Sequence, residues 1–193
     1  AGPGMQVVDF CAGAGGKALA LAADMEGKGR VVATDVHDKR LARLAERMRR
    51  AGAHNIERRL LESERDRWVR RQRGKFDRVL VDAPCTGTGA WRRNPDARWT
   101  REGPRLAELT DLQGRILESA ARLVKPGGRL VYATCSLLRE ENEAQVERFL
   151  DAAPDFARAE DDLRISPARD GSDGFYAAIL EREEAPCAND SAT

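Results

Sequence analysis

Apolar residues come in short β-branched clusters separated by stretches of helical spacing, and this alternation runs along most of the chain. Residues 5–9 (MQVVD), 30–35 (RVVATD), 76–82 (FDRVLVD) and 129–133 (RLVYA) have the length and composition of buried strands. Residues 56–61 predict a weaker strand and residues 174–181 (GFYAAILE) a late one. Residues 17–24 (KALALAAD) are strong helix formers. Residues 38–51 set Leu41, Leu44, Ala45 and Met48 at helical intervals, and Gly52 stands where that helix should stop. A long helix is predicted over 106–124, closed by Lys125-Pro126-Gly127-Gly128, and another over 140–151. Residues 64–73 are charged and read as helix or loop. Residues 83–104, with their prolines, glycines and tryptophans, read as irregular, and so does the Asp- and Ser-rich stretch before Gly174. Strands alternating with helices imply one α/β domain, its mostly parallel sheet covered on both faces.

Composition narrows the class. A chain of 193 residues suffices for one domain that buries roughly two-thirds of its unfolded surface. Charge is plentiful but balanced at net +1, so global disorder is not expected. No stretch approaches the ~20 apolar residues of a membrane-spanning helix, and no basic-then-apolar N-terminal segment is visible. The expectation is a cytoplasmic protein without a membrane partner. Five lysines stand against 28 arginines, a bias that suits bidentate phosphate contacts and leaves nucleic-acid binding open. The four cysteines, Cys11, Cys85, Cys135 and Cys187, form no close pair with metal-site spacing, and only two histidines are present. No metal is expected, and free thiols are the default. Residues 185–193, Cys187 included, read as a disordered tail.

The candidate chemistry lies at strand ends. Asp9, Asp35, Asp82 and Thr134-Cys135-Ser136 each close a predicted strand, where parallel sheets bind their ligands. The loop Gly13-Ala14-Gly15-Gly16 admits close backbone approach and offers amides at a helix start. Asp35 is placed to accept hydrogen bonds from ribose hydroxyls. This logic fits any adenosine-containing cofactor. Residues 13–18 also satisfy G-x-G-x-x-A with Asp35 near dinucleotide spacing, so a NAD-linked oxidoreductase stays open, as does a tight turn with no ligand.

Asp82-Ala83-Pro84-Cys85 and Thr134-Cys135-Ser136 follow two clear strands. If these strands are neighbours, their loops lie within roughly 10 Å, and both thiols face one crevice. The plain alternative is a pair of inert small hydrophobes. In Trp91-Arg92-Arg93-Asn94-Pro95-Asp96-Ala97-Arg98-Trp99, arginines suit phosphates and rings suit an unpaired base. Alternatively, Trp91 and Trp99 pack the long loop down. The arginines between 58 and 73 alternate with Glu57, Glu62, Glu64 and Asp66, which reads as a solvated face. His37 and His54 read as surface residues.

Taken together and in order, Asp9-Phe10-Cys11-Ala12-Gly13-Ala14-Gly15-Gly16-Lys17, Asp82-Ala83-Pro84-Cys85 and Thr134-Cys135-Ser136 resemble the signature motifs of a known family. It is the RNA cytosine-5 methyltransferases of the Nol/Nop/Sun group. Arg92-Arg93-Asn94-Pro95-Asp96, Lys125-Pro126-Gly127-Gly128, Glu140-Glu141-Asn142 and Asp173-Gly174-Phe175 add to the match, which runs from Val7 to Glu181. The likeness is closest to the bacterial 16S ribosomal RNA enzymes of the Sun/Fmu type.

The resemblance implies a Rossmann-like S-adenosylmethionine-dependent methyltransferase fold, a mostly parallel seven-stranded sheet whose one antiparallel strand is 174–181. It implies that Cys135 attacks C6 of a cytidine, that Cys85 assists product release, and that Asp82 hydrogen-bonds the base. Lys17 becomes an active-site residue, against the alternative of a solvated lysine at a helix start. S-adenosyl-L-methionine is then held by Cys11, Ala12, Gly13, Ala14, Gly15, Gly16 and Lys17, with Asp35 on its ribose and Asp82 nearby. Asp9 is expected to organise the loop.

Two departures stand out. The family's usual loop is Cys-Ala-Ala-Pro-Gly-Gly-Lys, and here Gly13 and Ala14 take the third and fourth places; both are small, so the pocket should survive. No aspartate stands where the family contacts adenine; Glu62 is the candidate, with Glu64 and Asp66 behind it. The family also carries an upstream RNA-binding part, so residues 1–184 are expected to be the catalytic domain alone. The expected substrate is ribosomal RNA, with transfer RNA as the alternative, and the expected state is a monomer. A non-catalytic RNA-binding module is the rival outside enzymes.

Overall fold

Val7, Val8, Val31, Val32 and Ala33 are fully shielded from solvent. The strands that carry them, β1 (Gln6–Asp9) and β2 (Arg30–Asp35), pair in parallel with Val7 opposite Val31. Side chains alternate between the two faces of a strand. Val7, Val31 and Ala33 accordingly join one core layer, and Val8 and Val32 the other.

The computed structural model of the chain describes residues 1–99 and 104–184. After β1, α1 (Gly16–Asp24) leads to β2, and α2 (Asp38–Ala51) leads to β3 (Ile56–Leu60). Next come α3 (Arg67–Arg71), β4 (Phe76–Asp82), α4 (Leu106–Ala121) and β5 (Val124–Thr134). α5 (Glu143–Ala152) precedes β6 (Phe156–Arg158) and β7 (Leu163–Ile165). The chain then forms the short α6 (Pro167–Asp170) and returns as β8 (Phe175–Arg182). Ala18, Ala22, Leu41 and Leu44 of α1 and α2 cover one face of the sheet, while Trp68, Ile116, Leu117 and Phe149 of α3, α4 and α5 cover the other. None of the described helices is long and apolar enough to cross a membrane.

The strand order is β3-β2-β1-β4-β5-β8-β6, with β7 also on β8. β8 is antiparallel to β5, β6 and β7, and the other pairs are parallel. β5 takes one edge of β8 through Tyr176–Glu181, so β6 and β7 share the opposite edge, one after the other. Eight strands therefore fill seven positions. The expected seven-stranded sheet with a reversed strand near the C-terminus is present, the last position being a broken strand. β6 and β7 lie in the stretch expected to be loop; each has three residues, mostly exposed, too short for alternation to register.

Two predicted boundaries move. The long helix stops at Ala121, and Val124 already pairs with Phe76 as the first residue of β5. Lys125-Pro126-Gly127-Gly128 does not end the helix but bulges out of β5, since Arg129 is the next residue in register, opposite Arg78. Pro126 has no N–H to give the ladder and Gly127 takes φ 70°, which expels the segment from the sheet. The predicted helix over 140–151 begins as a 3-10 turn, Arg139–Glu141, and breaks at Asn142 before α5. Residues 100–103 and the expected tail with Cys187 lie outside the described residues.

Candidate active site

A cavity of about 680 Å³ opens over the carboxyl ends of β1, β2 and β4. The glycine loop forms its floor. Beyond β1 the chain keeps strand-like bonds, Phe10 N–H donating to the Leu80 carbonyl and Ala12 N–H to that of Thr34, each at 2.8 Å. It then turns, with Gly15 N–H on the Ala12 carbonyl at 2.8 Å. Gly15 has φ 83°, and a Cβ there would lie 2.1 Å from Leu44 Cδ1, so glycine lets α2 close against the loop. Gly13, one of the two departures, also has positive φ but faces open space. α1 begins without a side-chain cap, which leaves its first amides available beside Gly16 and Lys17 on the cavity wall.

Asp35 is nearly buried. Its Oδ2 accepts the Gly13 N–H at 2.9 Å and its Oδ1 the His37 N–H at 2.8 Å. The carboxylate thus ties the glycine loop to the end of β2 and keeps a lone pair on each oxygen for a ligand hydroxyl. Arg40 stands 3.9 Å from it and, with His37, lines the cavity. Sequence reasoning missed both in this role; their position two and five residues past Asp35, at the start of α2, was the available signal. Leu61, Glu62 and Glu64 form the opposite wall. Glu64 accepts from Arg115 Nε at 2.8 Å; partial burial pushes its carboxyl up, but that bond, its own backbone N–H and the charges of Arg115 and Arg65 together hold it below the usual range. Asp66 caps α3, accepting the Glu62 and Trp68 N–H groups, which lower it too. Glu62 makes no ion pair or side-chain hydrogen bond among the described residues, so of the three candidate acids it is the one left for a ligand.

Asp9 departs from expectation. It is 1% exposed, and neither carboxylate oxygen makes a hydrogen bond of ordinary geometry among the described residues. It therefore does not tie the loop together, which Asp35 does instead. Burial, then the neighbouring charge of Asp82, push its carboxyl up to about 7, with Lys17 and the Ala18 N–H pulling the other way.

Lys17 is no solvated helix-start lysine. Its Nζ donates to Asp82 Oδ2 at 2.6 Å and lies 5.6 Å from the centroid of the Phe175 ring. Phe175 belongs to the Asp173-Gly174-Phe175 match, but its place beside Lys17 was not expected, because nothing local links the start of β8 to that of α1.

Asp82 and Ala133 are register partners on adjacent strands, and the loops beyond them bring Cys85 Sγ to 3.4 Å from Cys135 Sγ. A thiol hydrogen bond from Cys85 draws Cys135 down to about 7 against partial burial and the Asp82 charge. The same contact, with burial, pushes Cys85 up. Cys11, on the cavity wall, is pushed up by burial and by Asp9, and is a neutral thiol at ordinary pH.

The turn Thr88–Ala90 is fastened to the Cys135 loop. Gly89 N–H donates to the Cys135 carbonyl at 2.9 Å, Gly174 N–H to the Gly89 carbonyl at 2.9 Å, and Leu137 N–H to Thr88 Oγ1 at 2.8 Å. Arg92 and Arg93 both pair with Asp173. Arg98 lies between the Trp91 and Trp99 rings, 5.8 and 5.1 Å from their centroids. Trp99 is 76% exposed, so it does not pack the loop down, whereas Trp91 is half-buried. The arginines between 58 and 73 are all exposed, as a solvated face should be. The described residues hold no group of three or more His, Cys, Asp or Glu able to bind a metal.

Comparison with known proteins agrees with this geometry. A family model described as 16S rRNA methyltransferase RsmB/F matches residues 2–181. Ribosomal RNA small subunit methyltransferase B of Salmonella arizonae is 38% identical over 186 residues, which cover 93% of this chain and 43% of that protein. The solved structure of PH0851 superposes with TM-score 0.87 at 38% identity, covering 93% of this chain and 43% of that one. NSun6 from Pyrococcus horikoshii, solved with SFG, gives TM-score 0.84 at 25% identity, covering 96% and 50%. The chain thus spans less than half the length of the curated relatives it matches.

Proposed function

Because the chain belongs to the RsmB/F family of 16S rRNA methyltransferases, we propose that it methylates C5 of a cytidine in RNA, with 16S ribosomal RNA as substrate and S-adenosylmethionine as methyl donor. The observation that carries this reading is the 3.4 Å approach of two thiols, one of them acidified, beside a cavity suited to an adenosyl cofactor. A NAD-linked oxidoreductase would give neither thiol a role.

The cavity fits S-adenosylmethionine on its own residues. Its volume lies within the range of small-molecule sites, roughly 300–1,000 Å³. Asp35 retains lone pairs for the ribose, and Glu62 stands at the far wall for the adenine. The Asp9 carboxyl, buried with no hydrogen bond of ordinary geometry, suits a cationic ligand, since a buried carboxylate short of donors is costly until a positive group arrives. SFG, found in the NSun6 relative, is an analogue of this cofactor. When bound, S-adenosylmethionine supplies an electrophilic methyl group on a sulfonium.

The thiols supply what cytosine lacks. C5 is too weak a nucleophile to take a methyl group unaided. Cys135, drawn down far enough to be partly thiolate near neutral pH, adds to C6; the C6–S bond forms as the C5=C6 π electrons move into the ring, and C5 becomes nucleophilic. Asp82 hydrogen-bonds the edge of the base, and Lys17 holds Asp82 in place at 2.6 Å. Once C5 carries the methyl group, with S-adenosylhomocysteine as the by-product, its proton passes to solvent water, the C5–H electrons restore the double bond, and the C6–S bond breaks to release the Cys135 sulfur as a thiolate. Cys85, kept protonated, is within reach to deliver a proton to that departing sulfur.

The test is transfer of a labelled methyl group to 16S ribosomal RNA, with bisulfite mapping of the product. Wild type should leave 5-methylcytidine. Cys135→Ala should abolish transfer, and Cys85→Ala should accumulate a denaturant-resistant protein–RNA adduct. Label transferred by Cys135→Ala would remove the nucleophile from the proposal, and label at a position other than C5 would remove the reaction.

A further inference from the structure

Glu141, at the end of the 3-10 turn behind both cysteine loops, is completely shielded from solvent. Its Oε1 accepts the Thr86 backbone N–H at 2.8 Å and a Gln113 Nε2–H at 2.9 Å. Its Oε2 accepts the hydroxyls of Thr86 and Ser136, each at 2.5 Å. Thr86 follows Cys85 in sequence and Ser136 follows Cys135, so one carboxylate grips the neighbours of both thiols. The glutamate is itself anchored, its carbonyl accepting the Tyr132 hydroxyl at 2.7 Å. The adjacent Asn142 side chain donates to the Ser136 carbonyl at 3.0 Å and accepts from the Thr134 hydroxyl at 2.5 Å.

All four donors to this carboxylate are neutral groups. A buried carboxylate is expensive to desolvate, and these four hydrogen bonds are what make it tolerable here. What the carboxylate adds is a fixed geometry between two loops. The strands themselves stop joining these loops early, with Ala83 N–H on the Ala133 carbonyl at 2.9 Å. Beyond that bond the loops are held by the backbone bond from Gly89 N–H to the Cys135 carbonyl, by Thr88 Oγ1 accepting the Leu137 N–H, and by the Glu141 cluster, which grips the residues next to both thiols.

We propose that Glu141 is a positioning residue that holds the Cys85 thiol within hydrogen-bond reach of the Cys135 sulfur and so keeps Cys135 reactive. The inference rests on the reading of Cys135 as nucleophile, but its test needs neither RNA nor cofactor. Cys135 touches Cys85 on the neighbouring loop and feels the charges of Asp82 at the end of β4 and Lys17 from α1, while Tyr132 is close enough to feel Cys85. Of these, Cys85 is the group that Glu141 restrains.

The experiment is alkylation of Cys135 by iodoacetamide as a function of pH, read by peptide mass spectrometry, in wild type and in Glu141→Gln, Ser136→Ala, Cys85→Ala and the Glu141→Gln/Cys85→Ala double variant. Glu141→Gln should raise the midpoint by about one pH unit, roughly a fivefold loss of alkylation at pH 7. Ser136→Ala, a milder change, should raise it less and carries the test if the glutamine variant does not fold. In Cys85→Ala the midpoint should already be raised, and adding Glu141→Gln should move it no further, a non-additivity that a purely structural role would not produce. An unshifted midpoint in the folded Glu141 and Ser136 variants, or an equal shift when Cys85 is absent, overturns the proposal. Methyl transfer measured alongside separates the two readings: shifted midpoints with no transfer by wild type sink the reaction but keep Glu141, and transfer with unshifted midpoints does the reverse.

Discussion

Lys17 Nζ lies 2.6 Å from Asp82 Oδ2 and joins the first turn of α1 to the end of β4 beside the cavity. The two side chains are 40% and 34% exposed, so solvent screens the pair and its contribution to stability is small, below about 1 kcal/mol. Its value is positional. It fixes a carboxylate that the proposed reaction needs at the base edge, next to the thiol pair.

Lys17→Met and Asp82→Asn should therefore leave the urea midpoint almost unchanged while lowering methyl transfer by roughly 10²–10³-fold, the usual cost of removing one preorganised polar group from a reacting centre. Urea titration and labelled-methyl transfer on the same preparations check this. A stability loss of several kcal/mol with transfer intact would mark the pair as structural.

Asp9 predicts a pH dependence of folding. Its folded-state value, about 7, lies above the ordinary 3.8. The protonated form is the one the folded state favours, so this contribution to stability is complete below the ordinary value and is lost as pH rises through about 7. At full ionisation the loss is on the order of 4 kcal/mol. Asp9→Asn should flatten the dependence and be more stable than wild type above neutral pH, with little difference in mild acid. Denaturant titrations at several pH values would show it. S-adenosylmethionine should stabilise wild type more than the asparagine variant, because a cation offsets the buried charge.

Gly89 predicts a packing failure next to Cys135. A Cβ there would lie 2.4 Å from the Gly174 carbonyl oxygen and 2.8 Å from that of Cys135, both backbone atoms that cannot yield cheaply. Gly89→Ala should cost about 1–3 kcal/mol as the turn lifts from the loop. It should also slow alkylation of Cys135, since its carbonyl loses the Gly89 N–H. Thermal denaturation and thiol labelling test both effects. An alanine variant with wild-type stability and labelling would show that the turn moves freely.

Much of the fold was legible because it is written locally. The β-branched runs ending in Asp9, Asp35 and Asp82 set three central strands, and Leu41, Leu44 and Gly52 set the face and the end of α2. The broken strand β6/β7 was not legible, since three-residue pieces carry no periodicity. Nor was the bulge in β5, where a Pro-Gly-Gly turn signal describes the backbone correctly without saying that the strand has already begun at Val124.

The residues of the site were visible as motifs, but their relations were not. By itself the sequence determined which acids and thiols end which strands, because strand and turn preferences act over a few neighbouring residues. Tertiary packing alone decided that Asp9 would be left without partners while Asp35 bound the loop, that Lys17 would reach Asp82, and that Trp99 would stay exposed. It also decided that one buried glutamate would clasp the neighbours of two cysteines fifty positions apart. Such contacts depend on how strands align and loops fold back, and distances of a few ångströms between remote side chains are set by the whole packed sheet.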